Sequence, residues 1–190
     1  MLTVVKVGGG LGDSALPGLC SALGELGERH PLIVVPGGAG FADAVRDADR
    51  RFRLRPATSH RMAILGMEQF GWLLSELIPD AERSTDLTRI DAGRTRVLLP
   101  SRLPLRDLPA SWQVTSDSIA AWVAGRAGAG RLVLVKAVDG GGVDEYLPTV
   151  LEHASFETWV ISGRDPARIA ELLDRGTTTG TRIAAARLLR

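Results

Sequence analysis

The feature that most constrains the fold is a repeated unit of short apolar strand, glycine-rich turn and helical segment. Residues 3–7 are apolar and mostly β-branched, they run into the three glycines at 8–10, and leucines then recur at helical spacing. The unit returns at 32–35, with its glycine turn at 36–40. Fully apolar strands need helices on both faces of their sheet. The pattern therefore predicts an α/β protein, a three-layer αβα sandwich with a central, mostly parallel sheet.

The rest of the chain continues this alternation without an internal boundary, so we predict a single domain over 1–190. The segment 100–111 holds three prolines, too many for a helix or a central strand, and is expected to be a loop that covers a site. Further strands are predicted at 96–99, 131–135 and 158–161, and further helices at 58–77, 116–126 and 166–173.

Composition narrows the function classes. The 23 Lys and Arg nearly balance the 22 Asp and Glu, so no overall charge favours nucleic acid or a membrane surface as a partner. The apolar segments are too short or too interrupted to span a bilayer. Cys20 is the one cysteine, and the start lacks the pattern of a leader peptide. These features predict a soluble, cytoplasmic protein with a small-molecule ligand.

Glycine turns at several strand ends favour phosphate as that ligand, because backbone N–H groups and helix N-termini there can face an anion. A P-loop is excluded, since no glycine in the chain is followed directly by lysine. The dinucleotide fingerprint also fails, because Asp13 stands where its third glycine should be.

The two lysines are the main candidates for chemistry. Only Lys6 and Lys136 among the 23 basic residues are lysine, and each lies at a predicted strand end close to a glycine run. A lysine ammonium is a compact charge on a flexible stem, which suits it to following a phosphoryl group during transfer.

Four motifs in order resemble the amino acid kinase family. They are Val-Val-Lys-Val-Gly-Gly at 4–9, Val-Pro-Gly-Gly at 35–38 with Phe-Ala at 41–42, Thr-Ser-Asp-Ser-Ile-Ala at 115–120 and Gly-Thr-Arg-Ile at 180–183. The resemblance spans nearly the whole chain. It implies an ATP-dependent phosphotransferase, with Mg²⁺ carried mainly by the ATP phosphates.

The same resemblance implies roles for individual residues. Lys6 would stabilise the phosphoryl group in transfer, and Asp117 would orient lysine ammonium groups. The ATP side would comprise Gly8, Gly9, Gly10, Lys136, Asp139, Gly140 and Gly163. The acceptor side would comprise Gly37, Gly38, Arg46, His60, Thr115 and Ser116.

Within the family, the chain resembles a short branch that phosphorylates a phosphorylated aminomethylfuran in methanofuran biosynthesis. The resemblance rests on His60 with the sequences at 62–65 and 67–69, on Trp112, and on Lys136 before Asp139 and Gly140. It implies a small phosphorylated substrate and a diphosphate product. Such an acceptor needs no general base, because the second pKa of a phosphate monoester is about 6.

Two departures from the family pattern keep alternatives open. Gly10 replaces the usual serine, and Lys136 with Ala137 replaces a hydroxyl residue followed by aspartate, so the nucleotide pocket is in question. The acceptor could instead be a carboxylate, a carbamate, another phosphate monoester or a nucleotide. The protein could also be a non-catalytic binder of nucleotides or oxyanions. The apolar helix 58–77 is consistent with a homo-oligomer.

Overall fold

A computed structural model of the chain describes residues 1–12, 14–88 and 91–183. These residues form a seven-stranded sheet in the order β3-β4-β2-β1-β5-β6-β7. Neighbouring strands are parallel except β6 and β7, which are antiparallel. The strands are β1 (Thr3–Val7), β2 (Leu32–Pro36), β3 (Glu82–Ser84), β4 (Thr95–Leu98), β5 (Arg131–Lys136), β6 (Glu157–Ser162) and β7 (Thr181–Ile183).

Helices cover both faces of the sheet, because successive residues of each buried strand point to opposite sides. Val5 and Val7 pack in one core with α1, α6 and the later turns of α3, whereas Val4 packs in the other core with α4 and α5. The helices are α1 (Leu16–Arg29), α2 (Ala39–Phe52), α3 (Pro56–Leu77), α4 (Ser116–Arg126), α5 (Leu147–Leu151) and α6 (Ala167–Arg175). The predicted three-layer αβα fold with a mostly parallel sheet is confirmed.

Most predicted elements are confirmed with ends that shift by one or two residues. The predicted 58–77 helix begins at Pro56, and the last motif of the resemblance contains β7. The predicted proline-rich loop contains two short 3-10 turns, at Pro100–Arg102 and Leu105–Asp107. The sequence did not predict β3 or α5. No described helix is both long enough and apolar enough to cross a membrane.

Parallel pairing places the glycine turns side by side at the carboxyl ends of the strands, which form one edge of the sheet. Lys6 of β1 is aligned with Val35 of β2 and with Leu134 of β5, so the three strands end together. Their hydrogen bonding continues into the turns, where the Gly37 N–H donates to Val7 O at 2.8 Å and the Gly8 N–H donates to Val135 O at 3.0 Å.

Candidate active site

A lysine–aspartate–lysine group lies at the centre of this edge. Lys6 Nζ of β1 is 2.9 Å from Asp117 Oδ1, and Lys136 Nζ, from the end of β5, is 2.6 Å from Asp117 Oδ2. Asp117 is in the first turn of α4 and is 2% exposed, while Lys6 is 5% exposed. The aspartate contact with lysines that the resemblance implied is present, and with both lysines protonated the group carries one net positive charge.

Burial and neighbouring charge set the ionisation of this group. Burial lowers the pKa of Lys6, and the nearby charge of Lys136 acts in the same direction, while Asp117 opposes both. Burial alone would raise the pKa of Asp117, but the two ammonium groups outweigh it and hold that pKa below its usual value. Asp117 is therefore ionised at neutral pH, and its charge offsets only one of the two lysines.

Asp144 fixes the start of α4, a role that the sequence did not reveal. Its carboxylate accepts hydrogen bonds from the Thr115 N–H at 2.9 Å, the Thr115 hydroxyl at 2.8 Å and the Ser118 N–H at 3.0 Å, and it also bonds the Ser118 hydroxyl. It accepts the Leu147 N–H at the start of α5 as well. Its own N–H donates to Asp117 Oδ2 at 3.3 Å. Asp144 thus positions Asp117. It also accepts the hydroxyl hydrogen of Thr115, a residue that was expected to bind substrate.

A cleft of about 280 Å³ opens in front of the charged group. It brings together nine of the residues predicted for the site: Lys6, Gly9, Gly10, Gly38, Arg46, Thr115, Ser116, Asp117 and Lys136. It is also lined by six residues that the sequence did not assign: Ala39, Ala42, Asp43, Ala63, Met67 and Trp112.

Two short runs of backbone line this cleft. Gly9 and Gly10 begin a 3-10 turn, and Gly38 with Ala39 begins α2, so their N–H groups have no partner within their own helical turn. Ala39 has a φ of +45°, a conformation that is rare for a residue with a side chain and that occurs preferentially at functional sites.

The N–H groups of Gly8 and Gly37, in contrast, already donate to backbone carbonyls, those of Val135 and Val7. Both glycines instead allow the neighbouring backbone to come close, because they have no side chain. A Cβ on Gly8 would lie 2.8 Å from Val135 O, and one on Gly37 would lie 2.9 Å from Val7 O.

The predicted acceptor residues divide between the cleft and a second groove. The Arg46 guanidinium lies 4.9 Å from the centroid of the Trp112 ring, at the wall of the cleft. His60 does not line the cleft. It lies in a neighbouring groove beside the proline-rich segment, where burial lowers its pKa and a backbone hydrogen bond at Ser111 opposes that shift.

The remaining residues predicted for the ATP side lie beyond the cleft at the ends of β5 and β6. Asp139 accepts the Ser162 N–H at 3.1 Å and pairs with Arg168 at 2.7 Å, so it joins these strand ends to α6. The Gly163 N–H donates to Lys136 O at 2.8 Å, and Gly140 is exposed in a turn with a φ of +64°. No group of three or more His, Cys, Asp or Glu residues in the described ranges could hold a metal ion.

A mostly parallel α/β sheet with amide turns, one buried lysine and one partly buried lysine beyond the carboxyl ends of its strands is typical of proteins that bind phosphate groups. The model of the amino acid kinase family matches residues 1–140, and the chain belongs to that family. It is similar to a [5-(aminomethyl)furan-3-yl]methyl phosphate kinase from Methanocaldococcus jannaschii, with 29% identity across 90% of this chain and 92% of the relative. The chain is thus a kinase, an ATP-dependent phosphotransferase.

Solved structures show the same fold. Uridylate kinase from Archaeoglobus fulgidus has a TM-score of 0.75 at 18% identity, covering 97% of this chain and all of the other. UMP kinase from Ureaplasma parvum has a TM-score of 0.67 at 12% identity, covering 94% and 96%. An isopentenyl phosphate kinase has a TM-score of 0.63 at 16% identity, covering 96% and 100%.

Proposed function

We propose that this kinase transfers the γ-phosphoryl group of ATP to a small phosphate monoester, a phosphorylated aminomethylfuran, and forms a diphosphate. The observation that carries the proposal is the group of Lys6, Asp117 and Lys136, which lines one cleft together with two adjoining runs of main-chain amides. The name of the Methanocaldococcus relative supports the choice of acceptor.

The geometry suggests how the two substrates are divided. The amides of Gly9 and Gly10, together with Lys136, would hold the ATP phosphates. The amides that begin α2, at Gly38 and Ala39, would hold the acceptor phosphate, since a helix N-terminus favours an anion. Bound Mg²⁺ would neutralise part of the charge on the ATP phosphates.

Lys6 would act between these two sites. An oxygen of the acceptor phosphate forms the new bond to the γ-phosphorus while the bond to the leaving ADP oxygen breaks, and the Lys6 ammonium stabilises the charge on the transferred group. At neutral pH the acceptor is already largely a dianion, so the chain needs no general base. Catalysis here consists of alignment and charge stabilisation.

The test is ADP release from ATP and Mg²⁺ with the phosphorylated aminomethylfuran, in the wild type and in Lys6→Ala. We expect the variant to lose about 100- to 1000-fold in kcat, the scale for one group that stabilises a transition state, while ATP still binds. Arg50→Ala, on the exposed side of α2, is the matched control and should keep full activity. Binding of ATP by the wild type without ADP release would instead support a non-catalytic binder. Turnover with another acceptor but not with the furan compound would show that the proposed acceptor is wrong.

We also propose that the chain forms a homodimer through one face of α3. Four exposed apolar side chains lie on one broad side of this helix, and we call this surface the α3 face. They are Leu65, Trp72, Leu73 and Leu77.

A further inference from the structure

One side of the cleft is suited to hold the body of an acceptor. It is formed by α2, α3 and Trp112, and its floor is apolar, with Ala42, Ala63 and Met67. Among the described residues that line this side, the ionisable ones are Asp43 and Arg46. These two side chains therefore indicate which charges a well-matched acceptor carries.

Contacts with Trp112 and Asp43 hold Arg46 in place. Its guanidinium lies over the Trp112 ring and is 2.8 Å from Asp43 Oδ1. The Trp112 indole N–H in turn donates to Asp49 Oδ2 at 2.6 Å. The arginine is thus fixed against an indole that is itself fixed to α2.

Asp43 keeps capacity for another donor. Its Oδ1 accepts from Arg46, but its Oδ2 accepts a hydrogen bond from no described residue, and the side chain is 71% exposed. A carboxylate has about four lone-pair positions, so Asp43 can accept a ligand cation without releasing Arg46.

A carboxylate here is unfavourable for an acceptor that is only anionic. The cleft must take two phosphate-bearing substrates, and the negative charge of Asp43 repels both. The repulsion becomes an advantage if the acceptor also carries a cation, because one side chain then attracts the correct acceptor and disfavours simple phosphate esters.

The spacing along α2 matches an acceptor with opposite charges at its two ends. Ala39 and Asp43 are four residues apart on one side of the helix, roughly 6 Å along its axis. A phosphate bound at the start of α2 would leave room for one small ring over the apolar residues, with its far substituent near Asp43. We propose that Asp43 binds a protonated amine of the acceptor and so selects a zwitterionic, amine-bearing phosphate monoester. This inference rests on the proposed function.

The test crosses two acceptors with two variants in the ADP-release assay. The acceptors are the phosphorylated aminomethylfuran and the same furanylmethyl phosphate without its aminomethyl group. We expect the wild type to prefer the amine-bearing acceptor. Asp43→Asn should lower kcat/KM for that acceptor by about 10- to 100-fold, mainly through KM, the scale for a hydrogen bond to a charged group. Turnover of the amine-free acceptor should stay the same or rise.

Asp47→Asn is the matched control, because Asp47 makes an equivalent pair with Arg50 one turn further along α2 and does not line the cleft. It should leave both acceptors unchanged. Equal losses with both acceptors in Asp43→Asn, or no preference in the wild type, would overturn the role of Asp43 and leave the kinase reaction standing. Failure of the wild type to turn over either acceptor would overturn the proposed acceptor itself.

Discussion

Asp117 is the residue on which the charge balance of the site depends. Two ammonium groups lie within 2.9 Å of its carboxylate, and two of the three side chains are almost fully buried. Removing one member of a buried ion pair leaves an uncompensated charge, which is far more costly than leaving an exposed pair broken. Here the loss of Asp117 leaves two lysine charges facing each other.

Asp117→Asn should therefore lower the free energy of unfolding by about 3–5 kcal/mol at neutral pH. The folded pKa of Asp117 is depressed, so its stabilisation is complete above the unfolded pKa of about 3.9 and disappears as the pH falls through the folded pKa. The difference between wild type and variant should narrow in acid. Urea unfolding from pH 2 to 8 measures it, with Asp47→Asn as the exposed control. A constant difference across that range would contradict the assignment.

The residues of the site differ in how well the sequence could reveal them. Lys6 and Lys136 were predictable, because lysine is rare in this chain and both precede glycine runs. Asp144 was not, since it caps a helix that begins 28 residues earlier, and no local pattern marks such a contact. Asp43 was also missed, because an aspartate in a helix rich in Asp and Arg resembles a solvated face.

At the scale of elements, the glycine turn after β1 likewise shows what the sequence reveals and what it does not. The sequence identified the run, but only the structure shows which glycine allows two turns to touch. A Cβ on Gly9 would lie 2.2 Å from Ala39 Cα, a backbone atom that cannot move aside alone, whereas a Cβ on Gly10 would meet nothing within 4 Å. The close approach of the two amide runs therefore depends on Gly9.

Gly9→Ala should destabilise the protein by about 1–3 kcal/mol, the usual cost of forcing extra volume into a packed site, and should separate the two turns. Gly10→Ala should stay within about 0.5 kcal/mol of the wild type. Thermal melting of the two variants side by side measures the difference. If both alanines were tolerated equally, the contact between the turns would not be as the structure has it.

The elements that the sequence did not predict are those with little pattern. β3 is a three-residue edge strand of Glu, Arg and Ser, without apolar alternation. α5 has five residues and includes a proline near its start, which is too short for helical spacing to emerge. The long helices and fully buried strands were predictable because their apolar periodicity extends over many residues.

At the scale of the whole molecule, the strand order explains why the site lies where it does. From β1 the chain places β2, β3 and β4 on one side, with β4 between β2 and the edge strand β3, and it then returns to place β5 on the other side of β1. Ligands of open α/β sheets bind at such a switch point, beyond the carboxyl ends of the strands. The sequence indicated parallel strands but carried no signal for their order, which depends on contacts between distant segments.

The proposed dimer also belongs to the scale of the whole molecule. The α3 face adjoins β3, the edge strand of the sheet. Arg83 of β3 lies 4.4 Å from the centroid of the Trp72 ring and donates to Ser75 Oγ at 3.3 Å, so the helix and the edge strand form one surface. A second copy related by a two-fold axis could bury this surface against itself, as most homodimers do. A stable interface of this kind buries about 1,200–2,000 Å² in total.

Light scattering of the wild type at micromolar concentration should therefore give the mass of two chains. Trp72→Glu should raise the dissociation constant of the dimer at least 10-fold, because it places two carboxylates in an apolar interface, while Arg83 provides a partner that preserves the monomer fold. Phe52→Glu, at a more exposed apolar residue that closes α2, is the control and should leave the mass unchanged. A wild type with the mass of one chain would refute the dimer.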